Sequence, residues 1–181
     1  MTDQQLIEKL ANPESKNLAF SMMVDAYQKK IYYHIRRMVI DHDDANDLTQ
    51  DTFIKAWRFL DNFKGDSNLY TWLYKIATNV CLTHLDKKRK WFFVPITNVE
   101  KQLSHLLDDG KYITGNEIQL KLQKAILQLP EKQRLVFNMK YYDELTYEDM
   151  SEITGTSIGA LKASYHHAVK KIEHILSNQL N

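Results

Sequence analysis

One cysteine, three prolines and five glycines are all that 181 residues contain of the residue types that most often staple, break or bend a chain. A lone thiol, Cys81, can close no intramolecular disulfide and supports no multi-cysteine zinc or iron–sulfur site. Its apolar neighbours mark it as a buried, inert side chain. Scarce proline and glycine leave long stretches free to run as helix, and the expected fold is all-α. No apolar run approaches the ~20 residues that span a bilayer, and the amino terminus lacks the charged-then-apolar layout of a signal peptide. A soluble, cytoplasmic protein without membrane insertion is therefore expected. The sequence also lacks a glycine-rich phosphate loop and any nucleophile paired with a base, so neither an enzyme nor a cofactor is expected.

Hydrophobic residues make up 44% and charged residues 26%, the balance of a folded chain rather than a disordered one. The length suits one medium domain or two small ones. Net charge is only +1, yet the charges are sorted along the chain. Residues 41–51 hold Asp41, Asp43, Asp44, Asp47 and Asp51 with no lysine or arginine among them. Lys87, Lys88, Arg89 and Lys90 then form a basic run. Between Lys140 and Lys162 the charges are all acidic (Asp143, Glu144, Glu148, Asp149, Glu152), and from Lys162 onward the balance is positive. Such a division can offer one face to phosphate and another to a protein partner.

Periodicity lays out the first half as helices. Thr2 and Gln5 predict a capping box for a short helix ending near Asn12, and Pro13, capped by Asn12, opens a second. Phe20, Met23, Tyr27, Ile31, Ile35 and Met38 form its apolar stripe, to about Ile40. The aspartates start a third helix, where acids meet the positive end of the dipole, and Leu48, Thr52, Ala56, Phe59 and Leu60 share its buried side. Gly65 marks a loop. Ser67 is the expected cap of a fourth helix buried through Leu69, Leu73, Ile76, Val80 and His84 or Leu85. From about Trp91 to Gly115 the pattern is lost, which predicts a linker with one turn around Leu103 to Leu107.

Helical spacing resumes at Ile118, Leu122, Ala125, Ile126 and Leu129, then stops at Pro130; Leu135, Val136 and Met139 mark the next helix. Leu145, Thr146, Asp149 and Met150 supply a hydrophobic staple around an approximate capping box. That helix is short and ends at Gly155, suited to a left-handed cap. Ser157 caps the last helix, buried through Leu161, Tyr165, Ala168, Ile172, Ile175 and Leu176. A short helix, a tight glycine turn and a longer helix form a helix-turn-helix. Its outward residues are then Lys162, Ala163, His166, His167 and Lys170, placed to meet base edges and phosphates. Ala160, Ala163 and Ser164 are small enough for close approach, and the amides near Ser157 can bind a phosphate.

Leu129-Pro130-Glu131-Lys132-Gln133-Arg134, Leu145-Thr146-Tyr147-Glu148-Asp149-Met150 and Gly159-Ala160-Leu161-Lys162 together resemble region four of the extracytoplasmic-function (ECF) group of bacterial RNA polymerase sigma factors. Asp44-Ala45-Asn46-Asp47-Leu48-Thr49-Gln50-Asp51-Thr52-Phe53 is similar to that family's acidic signature in region two. Phe63-Lys64-Gly65-Asp66-Ser67, leading into Thr71-Trp72-Leu73-Tyr74-Lys75-Ile76-Ala77-Thr78-Asn79, resembles its promoter-melting segment. The resemblance covers nearly all of the chain except the linker. It implies a region-two domain over residues 1–93, a linker over 94–115 and a region-four domain over 116–181. It also implies core RNA polymerase (β′ and β subunits) and promoter DNA as partners, with an anti-sigma factor as a further one that no residue here identifies.

By position, Asp44, Asp47, Gln50 and Asp51 would contact the polymerase. Phe63, Lys64, Gly65, Asp66, Ser67 and Asn79 would border the pocket for a flipped −10 base, while Lys75, Lys87, Lys88, Arg89 and Lys90 contact phosphates. Tyr70 and Trp72 could contribute, Trp72 being assigned to the core. Ser157, Lys162, Ala163, Ser164, His166, His167 and Lys170 would read the −35 element. The chain departs from the family at Ser164 and His167, where arginine is frequent, and at Asn46, where glutamate is commoner. The first two changes weaken the expected phosphate grip.

The residues admit two other readings. A metal-dependent nuclease would use the aspartates as ligands, but no glycine follows them and no glutamate closes a calcium loop, and His42 has no second histidine at ligand spacing. No metal site is expected. A helix-turn-helix regulator with a helical sensing domain accounts for residues 118–181 but gives no reason for the acidic signature and the segment from Phe63 to Asn79 to occur together.

Overall fold

The computed structural model describes residues 3–63, 65, 67–91 and 117–180, excepting the side chains of 89–91, 117–119 and 179–180. The chain divides into two compact units, Met1–Trp91 and Phe92–Asn181. Thr2 of the expected first capping box, Phe92, Phe93 and the whole expected linker lie outside the described residues. Every described element is helical, as an all-α reading requires.

In the first unit a short helix α1 (Asp3–Ala11) precedes the long α2 (Lys16–Val39). α2 packs against α3 (His42–Phe59), which runs on into a 3-10 turn (Leu60–Asn62), and against α4 (Leu69–Trp91). The stripe on α2 is the axis of the core. Met23, Ile31 and Ile35 are fully buried and Tyr27 and Met38 nearly so, each such burial contributing about 1.5–3 kcal/mol. Tyr27 also donates a hydrogen bond to Asp3 Oδ1 at 2.7 Å, tying α2 to α1.

The aspartates do start α3. Asp41 is its cap, accepting from the Asp44 amide at 2.9 Å. Inside the unit α2 and α4 are cross-linked by buried His34, hydrogen-bonded through Nε2 to Thr78 Oγ1 (3.1 Å) and through Nδ1 to the Tyr74 hydroxyl (2.5 Å). That link satisfies polar groups that would be costly in an apolar core. Arg36 has no such provision. It is 2% exposed, and neither its Nε nor its Nη1 has a hydrogen-bond partner.

Three local expectations are corrected. Pro13 does not open α2. Asn12 Oδ1 accepts from the Glu14 amide, a local turn that competes with helix, and the helix begins only at Lys16. Ser67 does not cap α4. The cap is Asn68, whose Oδ1 accepts from the Tyr70 amide at 2.8 Å. Phe59 is not in the core but 52% exposed, because α3 gives way to the 3-10 turn there and Leu60 takes the buried place.

The second unit comprises α5 (Glu117–Leu127), α6 (Glu131–Tyr141), α7 (Tyr147–Thr154) and α8 (Ile158–Leu180). Ala125, Ile126, Leu129, Phe137, Ala168 and Ile172 form its core, with Leu122, Tyr165, Ile175 and Leu176 packed against it. Pro130 lies at the start of α6, at φ −53°. Thr146 caps α7 by accepting from the Asp149 amide (3.1 Å), while its hydroxyl donates to the Asp149 carboxylate instead of a full reciprocal box. Gly155 ends α7 at φ +67°, where a side chain is strained. Ser157 Oγ accepts from the Ala160 amide at 3.3 Å, so α8 starts after three residues of turn.

Candidate nucleic-acid interface

Successive helical residues turn by about 100°, which sets the outer face of α3 opposite its buried Ala45, Leu48, Thr52 and Ala56. Asp43, Asp47, Gln50, Asp51 and Ile54 form that outer stripe and all are exposed. Asp47, Gln50 and Asp51 are therefore brought together as the sequence indicated. Asp44 is not with them. It turns toward α4, where its Oδ2 meets Lys88 Nζ at 2.7 Å and His84 Nε2 at 3.2 Å. Burial acts to raise the Asp44 carboxyl, but the hydrogen bonds and charges of Lys88 and His84 outweigh it and hold its pKa below the ordinary value. The outer stripe also holds an apolar residue that sequence reasoning passed over. Ile54 is 49% exposed on the acidic face; its place one turn beyond Gln50 and Asp51 was the available signal.

A second face lies on α4. Phe63 and Trp72 meet ring to ring, centroids 4.9 Å apart, and both are half-buried. Trp72 is thus neither wholly core nor free. Lys75 and Asn79 follow at helical spacing and are exposed. Gly65 has φ +75° and open space where a Cβ would stand, so the turn needs glycine for its backbone angle alone. Ser67 is half-buried, Lys87 exposed, and Lys88 engaged with Asp44. Lys64 and Asp66 lie outside the described residues, as do the side chains of Arg89 and Lys90. Tyr70 belongs to the interior arrangement, stacked on Tyr27 at 5.6 Å and edge-on to Tyr74 at 5.5 Å. An aromatic pair beside an amide and an ammonium can stack a base, bond its edge and neutralise a phosphate.

The third face is on α8. Ser157, Lys162, Ala163, His166, His167 and Lys170 are exposed and Ser164 is half-buried, while Leu161 and Ala168 are fully covered. Helix, turn and outward basic residues coincide as the sequence indicated. Two further residues join this face. Tyr147 of α7 carries Lys162 Nζ 5.6 Å from its ring centroid and Lys140 Nζ, from α6, at 5.0 Å. Phe137 of α6 stacks with both Tyr141 and Tyr165. Burial raises the Tyr165 hydroxyl pKa, with Tyr147 and Tyr141 adding to the effect. Among the described residues no group of three or more His, Cys, Asp or Glu side chains could hold a metal ion, and no helix is long and apolar enough to cross a membrane.

Comparison with known proteins accords with this arrangement. Residues 23–91 match the Sigma-70 region 2 family and residues 119–172 the Sigma-70 region 4 family, which defines the class as a sigma-70-type transcription initiation factor. The chain is 34% identical to the RNA polymerase sigma-H factor of Pseudomonas aeruginosa, with 96% of this chain and 93% of that one covered. It is 33% identical to the ECF RNA polymerase sigma factor SigW of Bacillus subtilis, with 82% and 83% covered. Among solved structures it resembles the sigma factor RpoE crystallised with the anti-sigma factor NepR from Bartonella quintana. There the TM-score is 0.67 at 25% identity, over 87% of this chain and 96% of that one. The chain belongs to the ECF group of RNA polymerase sigma factors.

Proposed function

We propose that this chain binds core RNA polymerase and directs promoter-specific initiation, its first unit opening the −10 element and its second reading the −35 element. The observation that carries this reading is the order of two family matches on one chain, each falling on an exposed face of suitable chemistry. Residues 1–93 serve as region two, 94–115 as linker and 116–181 as region four. Asp47, Gln50 and Asp51, with Ile54 among them, form the polymerase-docking stripe: a charged rim around an apolar contact is the usual composition of such a surface. Asp44 supports it from behind through Lys88.

Phe63 and Trp72 hold the displaced −10 base, Asn79 reads its edge, and Lys75 with Lys87 accompanies the backbone. Lys162, Ala163, Ser164, His166 and His167 enter the −35 major groove, with Lys170 and the amides at Ser157 on flanking phosphates. The protein acts in the cytoplasm, where its polymerase is. A relative was crystallised with an anti-sigma factor, and an inhibitory partner of that kind fits this chain as well.

Run-off transcription with core polymerase and a library of promoter fragments tests the reading. Selective initiation that requires the added chain supports it. An operator-binding protein that leaves core polymerase unselective would overturn it.

A further inference from the structure

Tyr147, the first residue of α7, receives cations from two other helices. Lys140 comes from the last turn of α6 and Lys162 from the second turn of α8, and both ammonium groups lie over the one ring at 5.0 and 5.6 Å. Lys140 has a further anchor, donating to the Leu145 carbonyl at 3.0 Å across the loop that leads into α7. Lys162 makes no other hydrogen bond or ion pair among the described residues and is exposed. A lysine stem is long and rotamer-rich, so an exposed lysine loses considerable freedom when it settles on a phosphate or base. A ring that already holds the ammonium lowers that cost.

We infer that Tyr147 is a positioning residue for the −35-reading face: its ring gathers Lys162, with Lys140 beside it, into one prearranged cationic patch for promoter DNA. This rests on the −35 reading given above. The acids of α7 are directed elsewhere. Asp149 is tied into the helix cap by Thr146. Glu148 and Glu152 are exposed and lie roughly 100–140° around α7 from Tyr147. Tyr147 is half-buried and lies outside the cluster of Ala125, Ile126, Leu129, Phe137, Ala168 and Ile172.

The test uses the full chain assembled with core polymerase, on a promoter duplex recovered from the run-off selection, with binding measured over a series of salt concentrations. Tyr147→Leu should weaken binding roughly three- to tenfold, and Tyr147→Phe, which keeps the ring, should bind as the parent does. Tyr147→Met serves if the leucine variant does not fold. In a chain already carrying Lys140→Met and Lys162→Met, removing the ring should cost nothing further, since coupled residues are not additive. A tyrosine that merely supports the fold costs the same in both backgrounds, and that result sinks the proposal. So does parent-like binding by Tyr147→Leu while Lys162→Ala binds weakly. If Lys162→Ala is itself silent, the −35 reading fails and this inference with it.

Discussion

Lys88 Nζ lies 2.7 Å from Asp44 Oδ2, joining the carboxyl-terminal part of α4 to the first turn of α3 across 44 positions of sequence. The family resemblance assigns these two side chains to different partners, one to polymerase and one to DNA. In the fold they meet each other, with His84 on the same oxygen.

This contact has a pH signature. A carboxyl whose folded pKa is depressed contributes stability that is fully present above its ordinary value near 4 and is lost as pH falls through the folded value. Asp44→Asn should therefore melt slightly lower at neutral pH, by less than about 1 kcal/mol for a partly exposed pair. It should also lose less stability than the parent on acidification. Circular dichroism melts across the acid range check this; parallel acid loss in parent and variant would count against the pairing.

The outer stripe of α3 predicts a loss of docking without a loss of fold. Asp47 and Asp51 are exposed and make no core contact. Reversing both to lysine should sharply reduce co-purification with core polymerase while the melting temperature stays within a few degrees. Ile54→Ser should weaken docking in the same direction. Undiminished co-purification in the double reversal removes the stripe from the interface.

Lys162→Ala should cost about 1–3 kcal/mol in −35 recognition, with a shallower salt dependence of promoter binding. The side chain is exposed, so folding should be unaffected. Filter binding or anisotropy on a promoter and on its −35-scrambled form separates base reading from phosphate contact: a base contact costs more on the first duplex.

Arg36 predicts a gain. A guanidinium 2% exposed with two unpartnered nitrogens carries an uncompensated desolvation cost. Arg36→Met, which keeps most of the stem, should stabilise the first unit by about 1–3 kcal/mol. A lower urea midpoint for the variant would show that the guanidinium contributes more than it costs.

Gly155→Ala isolates backbone strain. No atom stands within 4 Å of where the new Cβ would lie, but φ is +67°. The expected loss is about 1–2 kcal/mol with no steric component, and Gly155→Asn should lose less, because asparagine tolerates this region better. Thermal melts of the two variants give the order.

How much of this was legible in the chain depends on the range of the interaction that decides each feature. Thr146, Gly155 and Ser157 act within a few residues of themselves, so the helix-turn-helix could be read from spacing and capping chemistry. The stripes of α2 and α8 were equally legible, because burying one face of a helix requires apolar residues at its period. Near Pro13 and Ser67 competing local hydrogen bonds decided the helix starts, and two adjacent capping residues of equal merit cannot be ranked by pattern.

What the sequence determined by itself was the helical class and the two-part division, which follow from periodicity and its interruption, while the three candidate faces follow from sorted charge and from the resemblance of short motifs to those of the family. Only the tertiary structure decided which members of those motifs are available. It turned Asp44 inward onto Lys88, exposed Ile54 and Phe59, set Phe63 against Trp72, and brought Lys140 and Lys162 to Tyr147. Each of these depends on how one helix crosses another, and a crossing is fixed by the packing of many side chains together, which no local pattern encodes.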